Sequence, residues 1–550
     1  MRNMRAALLL AVVAAGAACS DAPSGGGESD AGLDAAGPRP TTPEPPLPPA
    51  LPVFTPCPDD WREVVDSGDP LLVTCEPVEE GCPAGDYAEG VPAAAVHVLA
   101  GAAAGGDGTR ARPYGSLALA ISSAAPGAAV AVGKGIYDEE VVLASSVTLW
   151  GACAAATGIV SSSASDSDPV VSVTAGTATI RGLRIGGARP GVTVDGGQVT
   201  LESVLVDAAT GSGLLATSGG TRLEADGLVV RGTVTRPDGT GGSGVVVSAG
   251  AAAELDRALI EGSQEFGVYV QDDSAFTARD LVVRDTGAGP GGTGRFGIAA
   301  IGGSTDVERA YLARNRGAGV VIEGVGTRLV ARDATIVDTL PERSGRFGLG
   351  LQASPGTTLE LERGSLERNR MLGALSYGEG ATLLLRDVAI RQTASQELDG
   401  LFGRGIEASS GGRVEAWRVL VDASREVGVL TTGAGSTALL EDIVVERTLE
   451  RSCVGGECEG ERGGIGLTAA RGGAIDATRF RSSDHVLCGV QVGPEGDVAL
   501  HDGEVSRNPI GANVQVQEFD LARLQDGVFY VDNERTLDST ALPVPQPAAL

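Results

Sequence analysis

Lysine is almost missing from this chain of 550 residues: Lys134 stands alone, so a lysine nucleophile has one candidate. Aromatic residues make up only 3%, which leaves few platforms for stacking a flat ligand. Basic residues are outnumbered, 42 Lys and Arg against 71 Asp and Glu, for a net charge of −29. That balance excludes the basic face phosphate binding needs, so nucleic acid is not an expected partner. Histidine occurs three times, at His97, His485 and His501, in no recognisable catalytic or metal-binding spacing. Glycine, in contrast, is abundant: 82 residues of it, together with much Val, Leu and Ala, suit tightly turning β-structure better than helix bundles.

Residues 1–18 hold Arg2 and Arg5, the apolar run "AALLLAVVAA" and then "GAAC", the pattern of an export signal rather than a membrane span. Cys19 after small residues resembles the bacterial lipobox, although Gly16 stands where the lipobox usually has Leu, and "AGA" at 15–17 also suits an ordinary signal peptidase. The resemblance implies a lipid on Cys19 and the membrane as a partner. Ser20 resembles the signal that sorts lipoproteins to an outer membrane, so the expected address is the outer membrane or cell surface, with secreted or periplasmic as the alternative. Residues 19–56 are rich in Gly, Ser, Asp and Pro and predict a disordered tether, extended in its proline-rich half.

Residues 57–95 form a small cysteine-containing module in which two apolar runs flank a "DSGD" turn, predicting a hairpin. In an exported chain close cysteines read as disulfides, so Cys57 is expected with Cys75, Cys82 with Cys153, and Cys453 with Cys458 in "CVGGEC". Zinc is the rival reading of "CVGGEC", without a His or further Cys beside it. The pairing of Cys488 stays open.

Residues 96–530 are repetitive. From Gly191 through Gly213, Gly244, Gly267, Gly319 and Gly348 to Gly511, a glycine opens an apolar alternation every 22 to 38 residues, with a second element, apolar-x4-apolar-x-apolar, between. Period-2 alternation in short coils predicts stacked strands. The stretch opening with Gly-Asp-Gly-Thr at 106–109, then Pro113-Tyr114, Ser116-Leu117 and "GIYDE" at 135–139, resembles the start of right-handed parallel β-helix proteins of the pectate-lyase-like superfamily. The resemblance implies an all-β fold, a right-handed parallel β-helix solenoid closed by a short helix with Leu117, Ala120, Ile121 and Ala124 on one face. A leucine-rich repeat has a similar period but lacks its Leu and Asn signature here. Residues 531–550 are left as a C-terminal tail.

Three columns follow from the register. Thr233, Ser263, Thr286, Asn315 and successors through Thr448, Ser483 and Asn508 predict a polar ladder in one turn. Arg257, Asp280, Arg309, Asp333, Arg363, Asp387, Arg418 and Asp442 alternate in sign, each Arg lying between two Asp on neighbouring coils. Coils bearing Asp also carry long insertions, at 286–296, 338–347, 393–404 and 448–465, with 233–243 before them. These predict a comb of loops with Phe296, Phe347, Phe402, Arg295, Arg346 and Arg404 as a binding edge.

Parallel β-helices of that superfamily include lyases, polygalacturonases and epimerases, yet neither Gly-His-Gly nor Asp-Pro-His-Glu occurs. The expectation is therefore a lipid-anchored surface scaffold or binding protein without catalytic activity, needing no metal or cofactor, with a polysaccharide or surface protein as partner. The alternative is a polysaccharide lyase or glycoside hydrolase whose active site lies on a β-helix face.

Overall fold

The computed structural model describes residues 43–54, 61–65, 73–79, 82–163, 168–287, 289, 296–453 and 463–548. The export segment, Cys19, Cys57, Cys458 and Arg295 lie outside them.

From Val96 the chain winds as a right-handed parallel β-helix. Two parallel sheets, of 21 and 16 strands among the described residues, enclose one apolar core. A typical coil has a ten-residue strand in the first sheet, such as Arg328–Val337, and a six-residue strand in the second, such as Ala318–Glu323. Alternation turns Leu329, Ala331, Ala334 and Ile336 inward, all buried. Between Ala331 and Ala334 the period slips because Asp333 takes a left-handed φ of 54°, bending the strand and resetting which side faces the core. This bend is the physical origin of the apolar-x4-apolar-x-apolar spacing.

Every member of the alternating charge column sits in that bend: Arg257, Asp280, Arg309, Arg363, Asp387, Arg418 and Asp442 have φ between 52° and 54°. The pairing is one-sided. Arg309 grips Asp280 with two bonds of 2.7 Å, and Arg363 grips Asp333 at 2.8 and 3.0 Å. Arg418 holds Asp387 and Arg479 holds Asp442 in the same way. A guanidinium presents its fork in one direction, and each fork is spent on the preceding coil. The expected symmetrical sharing, with Asp333 equally engaged by Arg309, is corrected accordingly.

The expected free tether is also corrected, for residues 43–54. This proline-rich segment is extended but lies along the bend column, where the amides of Leu47, Ala50 and Val53 donate to Asp387, Asp333 and Asp280. The strap buries those three carboxylates and ends in Phe54, which packs with Trp61 and Cys75 of the hairpin Trp61–Val65 and Val73–Pro77. Their support is a row of outward apolar residues, Leu205, Val229, Leu259 and Val282, that would otherwise face water.

The helix Leu117–Ser123 closes the N-terminal end with Leu117 and Ala120 fully buried and Ile121 and Ala124 packed beside them. Glu139 caps it, accepting from the amides of Leu117 and Ala118. Cys82 is bonded to Cys153; Cys75 and Cys453 are each disulfide-bonded, while Cys488 is a free thiol that burial pushes up to about 12. Among the described residues no helix is long and apolar enough to cross a membrane.

Two positions of the register are corrected. Gly350, not Gly348, pairs in line with Gly319, since Leu349 is the partner of Ala318. The polar ladder runs through His485, not Ser483, because Ser482 replaces the apolar anchor of that coil and shifts the apparent spacing.

Candidate functional site

Packing engages several residues of the proposed binding edge. Phe296, Phe347 and Phe402 are partly buried with Met371, Leu372 and the tail residue Ala548. Of the arginines, Arg346 is exposed, but Arg404 is only 1% exposed, its guanidinium bonded to Glu407 at 2.5 Å and to Glu426 at 2.9 and 3.1 Å. Burial opposes these charges, yet Arg404 and Arg451 outweigh it and hold the Glu426 carboxyl below its ordinary value. The network grips the tail: Arg404 donates to the Gln546 carbonyl at 2.6 Å and Glu407 accepts from the Ala548 amide at 3.0 Å. The comb's loops are also tied to one another, for example Leu398 amide to Gly345 carbonyl at 3.0 Å. Among the described residues of the edge, Arg404 and the three Phe side chains are thus engaged by the tail and by one another, while Arg346 stays exposed.

The histidines are accounted for separately. His97 is buried edge-on against Tyr87, their ring centroids 4.9 Å apart. His485 accepts the Thr448 amide at Nδ1, so Nε2 carries the proton and faces Ser482, whose hydroxyl donates to the Gly489 carbonyl. Burial lowers its pKa to about 3, and its base nitrogen is occupied, so this Ser and His pair is structural. His501 lies on the outer face of the first sheet, bonded to Asp526 at 2.8 Å, in a different column from His485. Among the described residues no cluster of three metal-ligating side chains occurs.

The outer face carries a column that sequence reading overlooked: Glu202, Asp226, Asp256, Arg279, Glu308, Arg332, Glu362, Arg386, Trp417 and Glu441 are register partners on successive strands. From Asp256 to Arg386 acid alternates with base, as neighbouring charges prefer. At Glu202, Asp226 and Asp256 the rule fails, with three acids in line. The adjoining column repeats the failure, since Glu224 is the partner of Glu254. Arg222 ties both glutamates, at 2.5 and 3.2 Å.

Asp226 and Asp256 differ in their surroundings. Asp226 receives both arms of Arg257, at 2.7 and 2.6 Å. The Asp256 carboxyl is held above its ordinary value by partial burial and by the charges of Asp226 and Asp280. Two neighbouring carboxyls, one clamped by an arginine and the other raised in pKa, stand in different environments, and such a difference is what acid and base chemistry uses. Further along the same column, Trp417 is 39% exposed, with the Arg418 guanidinium 4.4 Å from its ring. Six strand steps of ~4.8 Å separate the strands of Asp256 and Trp417, roughly 29 Å along the solenoid. The sequence signal for this site was the break in alternation, legible only once the bend had assigned which positions face out.

A second feature is a groove of about 560 Å³ between the strap and the outer surface, lined by Pro46, Pro48, Tyr311, Arg314, Arg368 and Arg391.

No family model matches the chain, and no curated protein matches it. Among solved structures it is similar to the lacto-N-biosidase of family GH136 from Eubacterium ramulus, at 10% identity and TM-score 0.35, over 74% of this chain and 67% of that one. It is similar to the catalytic unit of the GH87 alpha-1,3-glucanase from Streptomyces thermodiastaticus, at 12% and 0.31, over 84% and 71%. A third likeness is to a mannuronic acid specific polysaccharide family 6 lyase from human gut microbiota, at 11% and 0.33, over 74% and 86%. The expectation of a scaffold without catalysis is corrected on the site itself: the absence of two familiar motifs does not exclude the carboxyl pair on the outer face, and the three likenesses, at 10–12% identity, bear on the fold.

Proposed function

We propose that this chain is a polysaccharide-cleaving enzyme, a glycoside hydrolase, with Asp256 as general acid and Asp226 as the partner carboxylate. The observation that carries the reading is the adjacent Asp226 and Asp256 on the outer face, one clamped by Arg257 and the other raised in pKa. A saccharide lying along the solenoid axis meets the acid pair at one end and the Trp417 ring at the other. Asp256 protonates the leaving oxygen, while Asp226 either receives the sugar or activates water. The acid must stay protonated, so activity is lost as pH rises through the raised Asp256 value, giving an acidic optimum. The test is product release from a panel of neutral and acidic polysaccharides. Asp256→Asn is expected to lower turnover by about 10²–10⁴ with the fold intact; no activity on any glycan, or full activity in this variant, overturns the assignment.

A second reading, a lyase for acidic polysaccharide at the groove, has a uronate displace the Asp285, Asp338 and Glu367 partners of Arg314, Arg368 and Arg391 while Tyr311 moves the proton. Unsaturated ends in the products, absent from hydrolysis, separate the two. For the cellular setting we propose export and lipid attachment at Cys19 with outer-membrane display. Cys19→Ala should then move the protein out of the membrane fraction, and unchanged partitioning opposes it.

A further inference from the structure

The strap and the charge column match in pitch. Residues 47, 50 and 53 are three apart, and the aspartates that take their amides, Asp387, Asp333 and Asp280, are each two coils apart, with Arg363 and Arg309 between. A polyproline II helix repeats every three residues and advances roughly 9.3 Å in doing so. Two coils advance about 9.6 Å. An extended proline helix laid along the axis therefore presents one amide to every second coil, and only every second coil can use an acceptor there. The intervening coils carry Arg, whose forks hold each carboxylate aimed outward. The segment "PEPPLPPALPVF" complies: positions 47, 50 and 53 keep their N–H, while prolines fill 43, 45, 46, 48, 49 and 52. Glu44 extends the match by pairing with Arg418 at 3.5 Å.

We infer that the Asp280, Asp333 and Asp387 column is a peptide-binding site for a polyproline II segment with a free amide at every third residue, and that its ligand is residues 43–54 of this chain. The site reads backbone, since the bonds come from amide N–H, and it reads pitch, since the acceptors are spaced for one helix type. Peptide orientation is set as well: the strap runs from Asp387 toward Asp280, opposite to the winding of the solenoid, and is held at its far end by Phe54 in the apolar row. The alternating charge of the repeat is thus the imprint of a docked peptide, and the docked segment is separable from the solenoid it binds. This holds whether or not the outer face is catalytic.

The test uses the full-length chain and a labelled synthetic peptide of residues 43–54. Replacing Leu47, Ala50 and Val53 together by Pro keeps the helix type and removes the three donors, at the cost of the Leu47 and Val53 side chains. The variant strap should dissociate, and the labelled peptide should bind this variant about tenfold or more tighter than the wild type, whose site is filled. A peptide with Pro at the same three positions should compete at least about tenfold more weakly. In the wild type, amide exchange at Leu47, Ala50 and Val53 should be roughly tenfold or more slower than at Leu51, for which the column supplies no acceptor. Peptide binding no tighter to the variant than to the wild type overturns the separable site. Exchange at the three amides as fast as at Leu51 overturns the docking itself, even where the variant fails to fold.

Discussion

Asp333 performs two tasks with one carboxylate. It accepts the fork of Arg363 from the next coil and the Ala50 amide from the strap. Arg363 is about one-third exposed and its partner far less, so the pair is worth more than a surface bridge and less than a buried one. A double-mutant cycle on Asp333 and Arg363 should give a coupling of about 1–2 kcal/mol, and the same cycle on Asp333 and Arg309 close to zero. Equal couplings would restore the symmetrical ladder. Proton linkage gives an independent check. The Arg363 bond holds the Asp333 carboxyl below its ordinary 3.8, and at Asp387 the Arg418 and Leu47 bonds outweigh burial to the same effect. A depressed folded pKa contributes stability that is complete above the unfolded value and lost as pH falls through the folded one. Strap retention, followed by protease sensitivity of residues 43–54, should be flat from about pH 5 to 8 and fail only below about pH 4.

At the scale of the element, the glycine that opens each second-sheet strand is set by close approach and not by an unusual φ. A Cβ on Gly319 would stand 2.4 Å from Ile336 Cγ2 and 2.8 Å from the Gly350 carbonyl oxygen, and Gly267 and Gly405 are crowded in the same way. The turn stacks backbone on backbone, with polar-ladder side chains beneath it, as where Asn369 accepts from the Thr339 hydroxyl at 2.7 Å. Gly319→Ala should cost about 1–3 kcal/mol and lower the melting temperature, because a packed turn has nowhere to place a methyl group. An unchanged melting curve would mean that neighbouring coils yield more easily than this packing implies. The loops follow a related rule: Arg316, Arg370 and Arg425, from the shorter coils, each donate to a carbonyl of the following insertion, at Pro341, Ser395 and Glu450.

For the whole molecule, two extended segments, residues 43–54 and 540–548, lie over the solenoid. The strap lies on the bend of the first sheet and residues 540–548 lie over the second, both running against the winding; the tail takes bonds from Asn513, Gln515, Gln491, Arg471 and Arg404 to its carbonyls at Thr540, Leu542, Pro543, Pro545 and Gln546. The tail therefore completes a polar surface that includes the buried Arg404, Glu407 and Glu426. Removing residues 540–550 should cost about 2–4 kcal/mol, since it uncovers charged groups without replacing their partners. A urea transition unmoved by this truncation would show that water satisfies the same groups equally well. If the outer-face carboxyl pair acts as proposed, this loss should leave turnover at moderate temperature largely intact, because the tail lies over the other sheet.

Fold class, coil period, the capping helix and the alternating charges were all legible in the linear chain. Each arises from neighbours in sequence or from identical positions in adjacent repeats, where period-2 alternation and strand stacking leave few choices. Other features came only from the tertiary structure. The left-handed bend decides which charged side chains face outward, and so reveals the row of like charges at Asp226 and Asp256. The fork of each Arg selects one of two equivalent Asp neighbours. The shift from Ser483 to His485 follows from one anchor being Ser482, a substitution that a spacing rule reads as an offset. Above all, Leu47 and Asp387 lie 340 residues apart, and they meet because the pitch of a proline helix equals the advance of two coils. Proline content announced an extended segment, but the surface that holds it exists only when the coils are stacked.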